Sequence, residues 1–113
     1  MLNTLYPYGY MYTMNSIVRT TIFDEWLSHL KDVNGKAHIL KRIRSAERGN
    51  FGDSAALGAH VLEMRVHVGP GYRIYFMRAE AAVYVLLCGG TKRGQQADIF
   101  RAKQLARLYK KED

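Results

Sequence analysis

The stretch VLEMRVHVGPGYRIYF, residues 61–76, decides how the second half of the chain folds. Leu62, Met64, Val66 and Val68 alternate with Val61, Glu63, Arg65 and His67, a period of two that sends one set to the core and the other to the opposite face of a strand. Gly69-Pro70-Gly71 then turns the chain, and YRIYFM rises as the partner strand. A plain hairpin needs neither so rigid a turn nor an arginine on its rising strand. Arg73 therefore marks a place where the chain holds something.

Downstream, VYVLLC (83–88) is apolar throughout, as in a central strand covered on both faces. The run GGTKRG breaks that strand and sets Lys92 and Arg93 on a basic tip beside the hairpin. ADIFRAKQLARLYKK (97–111) reads as an amphipathic helix with Asp98, Ala102, Leu105 and Tyr109 along one stripe, acidic at its start and basic at its end, as the helix dipole favours. Upstream, IVRTT (17–21) is a short β-branched strand. Phe23, Trp26, Leu27 and Leu30 follow at helical spacing, and this helix is expected to end near Asn34-Gly35. A second helix carries Ile39, Leu40, Ile43 and Ala46 on one side, with Lys36, Lys41, Arg42, Arg44 and Arg48 largely on the other, and stops at the glycines of RGNFGD. The expected fold is α+β: an N-terminal strand and helical hairpin packed on a small antiparallel sheet, closed by a C-terminal helix. Residues 14–113 form the one domain. Residues 1–13, where Tyr6, Tyr8, Tyr10 and Tyr12 alternate with smaller residues and no charge appears, are expected to be a peripheral extension, and Met14 is a second possible start.

The 113 residues suit a single core, and 48% hydrophobic with 24% charged residues is ordinary for a globular protein. Seventeen Lys and Arg against ten Asp and Glu give a net charge of +7, which favours an anionic partner. The single Cys88 offers no disulfide framework. There is no membrane-length apolar run and no signal-peptide pattern, so the expected address is cytoplasmic. His29, His38, His60 and His67 lack metal-ligand spacing, no phosphate-loop or dinucleotide fingerprint occurs, and no metal or cofactor is expected.

Four blocks, FDEWLSHLKD, RIRSAERGNFGD, LEMRVHVGPGYRIYF and LLCGGTKRGQQADIFRAK, together resemble the addiction-module killer proteins. These are a branch of the RelE/ParE toxin superfamily related to the HigB toxins and to a phage-derived group. The resemblance runs from about Met14 to Tyr109. It implies the toxin of a two-gene toxin–antitoxin module, neutralised by an antitoxin that is usually a helix-turn-helix protein. Related toxins mostly cut messenger RNA on the ribosome and so inhibit translation, without metal, by turning the ribose 2′-hydroxyl against the adjacent phosphate. A minority inhibit DNA gyrase without being enzymes, and that is the alternative reading.

Such a cut needs a base, cations for the crowded phosphate and an acid for the leaving oxygen. Arg73 is the first candidate, since guanidinium meets phosphate bidentately and the glycines let backbone approach; the family carries an arginine at this place. Glu63, Arg65 and His67 share a strand face, with Glu63 or His67 as base and Arg65 as cation. The competing reading is a salt bridge from Glu63 to Arg65 or Arg73 that only orders the sheet. Better-known members carry lysines on this strand. The resemblance also implies a basic contribution from the region of Lys92 and Arg93. The family's C-terminal tyrosine is replaced by Phe100, which can stack on a base but not move a proton. Tyr72 is a further stacking candidate. Lys41, Arg42, Arg44 and Arg48 are candidates for sequence-blind phosphate contacts.

Overall fold

A computed structural model of the protein describes residues 3–5 and 11–110. Strands β1 (Asn3–Leu5) and β2 (Met11–Thr13) pair antiparallel in a ribbon separate from the main sheet. Tyr6, Tyr8 and Tyr10 lie outside the described residues. The main chain order is β3 (Ser16–Arg19), α1 (Thr21–Ser28), α2 (Val33–Glu47), β4 (Ser54–Gly58), β5 (Val61–Val66), β6 (Tyr72–Glu80), β7 (Val83–Thr91), a 3-10 turn (Lys92–Gly94) and α3 (Gln95–Tyr109). Five strands form a mixed sheet in the order β3-β7-β6-β5-β4. The α+β class holds. Among the described residues, no helix is long and apolar enough to cross a membrane.

The two-residue alternation in β5 and β6 divides the core into two layers. On one face Met64, Val66, Tyr72, Ile74, Phe76 and Leu86 pack against Phe23 and Leu27 of α1 and Ile39 and Ile43 of α2. On the other, Val61, Tyr75, Met77, Leu87 and Cys88 meet Ala102 and Ala106 of α3, whose small side chains let the helix lie close. Fully burying each large apolar side chain stabilises the fold by about 1.5–3 kcal/mol. Thr20 ties helix to sheet: its oxygen accepts from the Phe23 amide, capping α1, while its hydroxyl donates to the Leu87 carbonyl.

Several expectations are corrected. The sheet is not wholly antiparallel, because β3 runs parallel to β7 as the edge strand. The α1–α2 pair then carries the chain across one face to the opposite edge, a neighbour relation that no local pattern encodes. There β4 forms a strand the sequence reading lacks. SAALG has no β-branched residue, and its extended state comes from pairing with β5. The first helix ends at Ser28, not near Asn34-Gly35, which lie in the first turn of α2. Asp32 starts that helix by accepting from the Gly35 amide at 3.0 Å. A Cβ on Gly35 would fall 2.6 Å from both the Asp32 carboxylate and the Tyr72 ring, so glycine is there for packing. Gly89-Gly90 does not break β7, which continues to Thr91. The Trp26 ring covers Gly89 and the Asp98 carboxylate covers Gly90, each where a Cβ would collide. Tyr109, placed on the inner stripe of the last helix, is 53% exposed.

The Gly-Pro-Gly turn behaves as its composition requires. Gly69 and Gly71 both have positive φ, at 56° and 80°, a region costly for residues with a side chain. The Gly71 amide donates to the Val68 carbonyl at 3.0 Å, and the Lys92 amide donates to the Gly71 carbonyl at 2.7 Å. That second bond seats the start of the 3-10 turn against the hairpin.

Candidate functional site

Register places the chemistry. Arg65 stands opposite Arg73 and Glu63 opposite Tyr75, so these four side chains share the face that α3 covers. Glu63 is completely buried beneath the first turn of α3. Its Oε1 accepts from Arg65 Nε at 3.2 Å and its Oε2 from Gln95 Nε2 at 2.8 Å. Arg73 Nε lies 3.7 Å from Oε2, close enough for charge attraction and too far for a hydrogen bond.

Arg73 is only 6% exposed, and its Nε and Nη1 are buried without any hydrogen-bond partner. Leaving a buried donor unmatched costs about 1–3 kcal/mol, more for a charged group, so such a group calls for a partner, whether water, an ion or a ligand. Nη1 sits beside Gly71, 3.9 Å from where a Cβ would be. The Tyr75 hydroxyl is a further unpartnered buried group. Burial, reinforced by the negative charge of Glu63, pushes it well above the ordinary tyrosine value. The two unmatched guanidinium nitrogens and the Tyr75 hydroxyl thus belong to the same buried cluster as the Glu63 carboxylate.

From this buried centre a chain of contacts runs outward. Arg65 reaches past Glu63 to Asp53, Nη1 to Oδ1 at 2.9 Å. The other oxygen of Asp53 meets His67 Nε2 at 2.5 Å. His67 is largely exposed, with 66% of its side chain open to solvent. The hydrogen bond from His67, with the charge of Arg65 behind it, holds the Asp53 carboxyl below the ordinary value of 3.8. Lys92 and Arg93 are exposed on the 3-10 turn next to Gly71.

The loop that delivers Asp53 is anchored firmly. Phe51 stacks on Phe76 with ring centres 5.1 Å apart and planes 4° from parallel. Arg42 donates to the carbonyls of Phe51, at 2.8 Å, and Arg65. Gly52, at φ 64°, lies against the same guanidinium. The Arg65 amide donates to the Asp53 carbonyl at 2.9 Å.

The structure brings Arg73, Glu63, Arg65, His67 and Lys92 to one region, with Arg93 beside Lys92. It removes others. Tyr72 is buried on the opposite face and donates from its hydroxyl to Asp32 at 2.7 Å. As the strand neighbour of Arg73 it has to face the other way, so base stacking by Tyr72 is ruled out in this arrangement. Arg42 is a clamp for the loop and not a free phosphate ligand. Lys41, Arg44 and Arg48 are exposed, but α2 packs on the face away from Arg73. Glu63, shut off from solvent with both oxygens engaged, is not poised to meet a 2′-hydroxyl; the salt-bridge reading describes it. Phe100 is 65% exposed on the outer side of α3. Sequence reasoning missed Asp53, Gln95 and Tyr75. Strand parity points to Tyr75, two residues after Arg73. No periodic signal marks a loop aspartate or the first residue of a helix.

Among curated proteins the chain is similar to an uncharacterized protein of Haemophilus influenzae strain Rd, with 43% identity over 90 residues, covering 79% of this chain and 91% of that one. The chain belongs to that protein's family. No family model matches the chain, and no solved structure matches it.

Among the described residues, no three of His, Cys, Asp and Glu gather closely enough to hold a metal ion. A cavity of about 390 Å³ opens between α1 and α3 over Cys88, Trp26 and Arg101, away from the Arg73 cluster. Cys88 is buried in the core layer under α3, and that burial pushes its thiol up to about 11.

Proposed function

We propose that this protein is a RelE/ParE-type toxin of the addiction-module killer branch, and that it cuts messenger RNA on the ribosome. The observation that carries the reading is the Arg73 guanidinium, nearly buried behind the Gly-Pro-Gly turn with Nε and Nη1 unmatched. Because both nitrogens are covered, the groups over them have to move aside for an RNA phosphate, which then supplies the acceptor oxygens they lack in the bidentate geometry guanidinium favours. Arg65 and Lys92 add positive charge on the same side, and Arg93 extends it.

In this reading His67 is the base, because it alone of the two candidates faces solvent. It takes the proton of the 2′-hydroxyl, O2′ forms a bond to phosphorus, and the bond from phosphorus to the 5′-oxygen breaks. The 5′-oxygen leaves with a proton from solvent, and the upstream fragment ends in a 2′,3′-cyclic phosphate. Arg73 and its cationic neighbours stabilise the charge that builds on the phosphate oxygens. Glu63 and Gln95 hold the arginines at the correct depth. The ribosome supplies the alignment of message and site.

The natural partner is an antitoxin, of helix-turn-helix type, presenting acidic groups to a chain of charge +7. Ribosomes and messages place the action in the cytoplasm. The reading is tested by adding the protein to ribosomes programmed with message and, separately, to purified gyrase. Cleaved message with unaltered supercoiling is the expected result. Intact message with lost supercoiling would replace this reading by gyrase inhibition.

A further inference from the structure

We propose that Asp53 is a positioning residue that selects the tautomer of His67 carrying its hydrogen on Nε2, leaving the lone pair of Nδ1 free to take a proton. The role rests on the proposed cleavage reaction. The geometry behind it is independent of that reaction.

Asp53 uses both carboxylate oxygens on residues at and just past the end of β5, Oδ2 on His67 Nε2 at 2.5 Å and Oδ1 on Arg65 Nη1 at 2.9 Å. A carboxylate accepts hydrogen bonds and cannot donate, so the imidazole nitrogen facing it has to carry the hydrogen. The other nitrogen is then the basic one. A surface ion pair by itself contributes little, because two mobile side chains must be held in place. Here the holding is done by the backbone. The Asp53 carbonyl accepts from the Arg65 amide at 2.9 Å, so the aspartate is fastened to β5 beside its targets. One residue earlier, Gly52 adopts positive φ where a Cβ would stand 2.8 Å from Arg42 Nη2, and Arg42 is bonded to the Phe51 carbonyl. Phe51 is stacked in the core on Phe76. This turn serves to place one exposed carboxylate, and the same carboxylate orients the base and one cation of the site.

The test is Asp53→Asn, which keeps the shape and offers an amide donor as well as an acceptor. Long-range proton–nitrogen NMR of ¹⁵N-histidine protein reads the tautomer of His67 directly, with His67→Gln for assignment. Neutral His67 is expected to show hydrogen on Nε2 in the wild type and to lose that preference in the variant. Ribosome-dependent cleavage is expected to fall by about 10²-fold in kcat with KM unchanged, less than the roughly 10⁴-fold cost where an equivalent aspartate is buried. A wild-type His67 with hydrogen on Nδ1, or a variant with unchanged tautomer and rate, overturns the proposal. If the tautomer follows Asp53 while neither protein cleaves message, the positioning stands and the nuclease reading falls.

Discussion

Replacing Arg73 with lysine is expected to lower message cleavage by about 10²- to 10³-fold, the scale seen when one preorganised donor to a developing oxyanion is removed. Lysine keeps a positive charge beside Glu63 but loses the planar fork, and with it the paired donors that a phosphate would engage. The choice of substitution follows from burial. From sequence, Arg73 reads as an arginine on a hairpin whose removal leaves the core untouched, which would make alanine the natural test. In the fold it sits on β6, the middle strand of five, at 6% exposure and 3.7 Å from a buried carboxylate. Alanine would confound loss of chemistry with loss of stability. Growth arrest and in vitro cleavage, read beside urea unfolding, separate the two. A lysine variant that folds and still cuts at the wild-type rate would remove Arg73 from the chemistry.

Glu63→Leu is expected to destabilise the protein by about 3–5 kcal/mol, the cost of removing one partner from a buried ionic cluster. Leucine has a similar volume, so the loss reports charge and not a cavity. Arg73 would then be buried with neither a counter-charge nor hydrogen bonds for Nε and Nη1, and Gln95 would lose its acceptor. The double variant Glu63→Leu with Arg73→Met tests the cause, since replacing a whole buried pair by apolar residues is often close to neutral. Urea unfolding is expected to find the double variant more stable than the Glu63 single variant. A single variant as stable as the wild type would mean that Glu63 does not anchor the arginines.

The parts of the fold that the sequence made legible are those governed by side-chain periodicity. Leu62, Met64 and Val66 alternate as the core face requires, and Phe23 and Leu27 lie on the buried side of α1 as their spacing implies. What escaped depends on partners distant in the chain. The parallel pairing of β3 is settled by where α1 and α2 carry the chain, and β4 is a strand because β5 lies beside it. The glycines misled for a related reason. Gly35 and Gly89-Gly90 look like punctuation, yet they clear space for Tyr72, Trp26 and Asp98 from other elements. At the site, strand parity brought Glu63, Arg65 and Arg73 together, and it also argues against Tyr72. Asp53 and Gln95 reach the cluster from a loop and a helix start, where neither period applies.

The central claim is that the ribose of the message supplies the nucleophile and that this cluster of side chains meets the phosphate. The measurement that tests it most directly compares two ribosome-bound messages, identical except for one 2′-deoxynucleotide immediately upstream of the mapped cut, with the fragment ends identified chemically. Cleavage of the all-ribose message to a 2′,3′-cyclic phosphate, and none at the deoxy position, is the predicted result. Equal cleavage of both messages, or a 5′-phosphate on the downstream fragment, would contradict it.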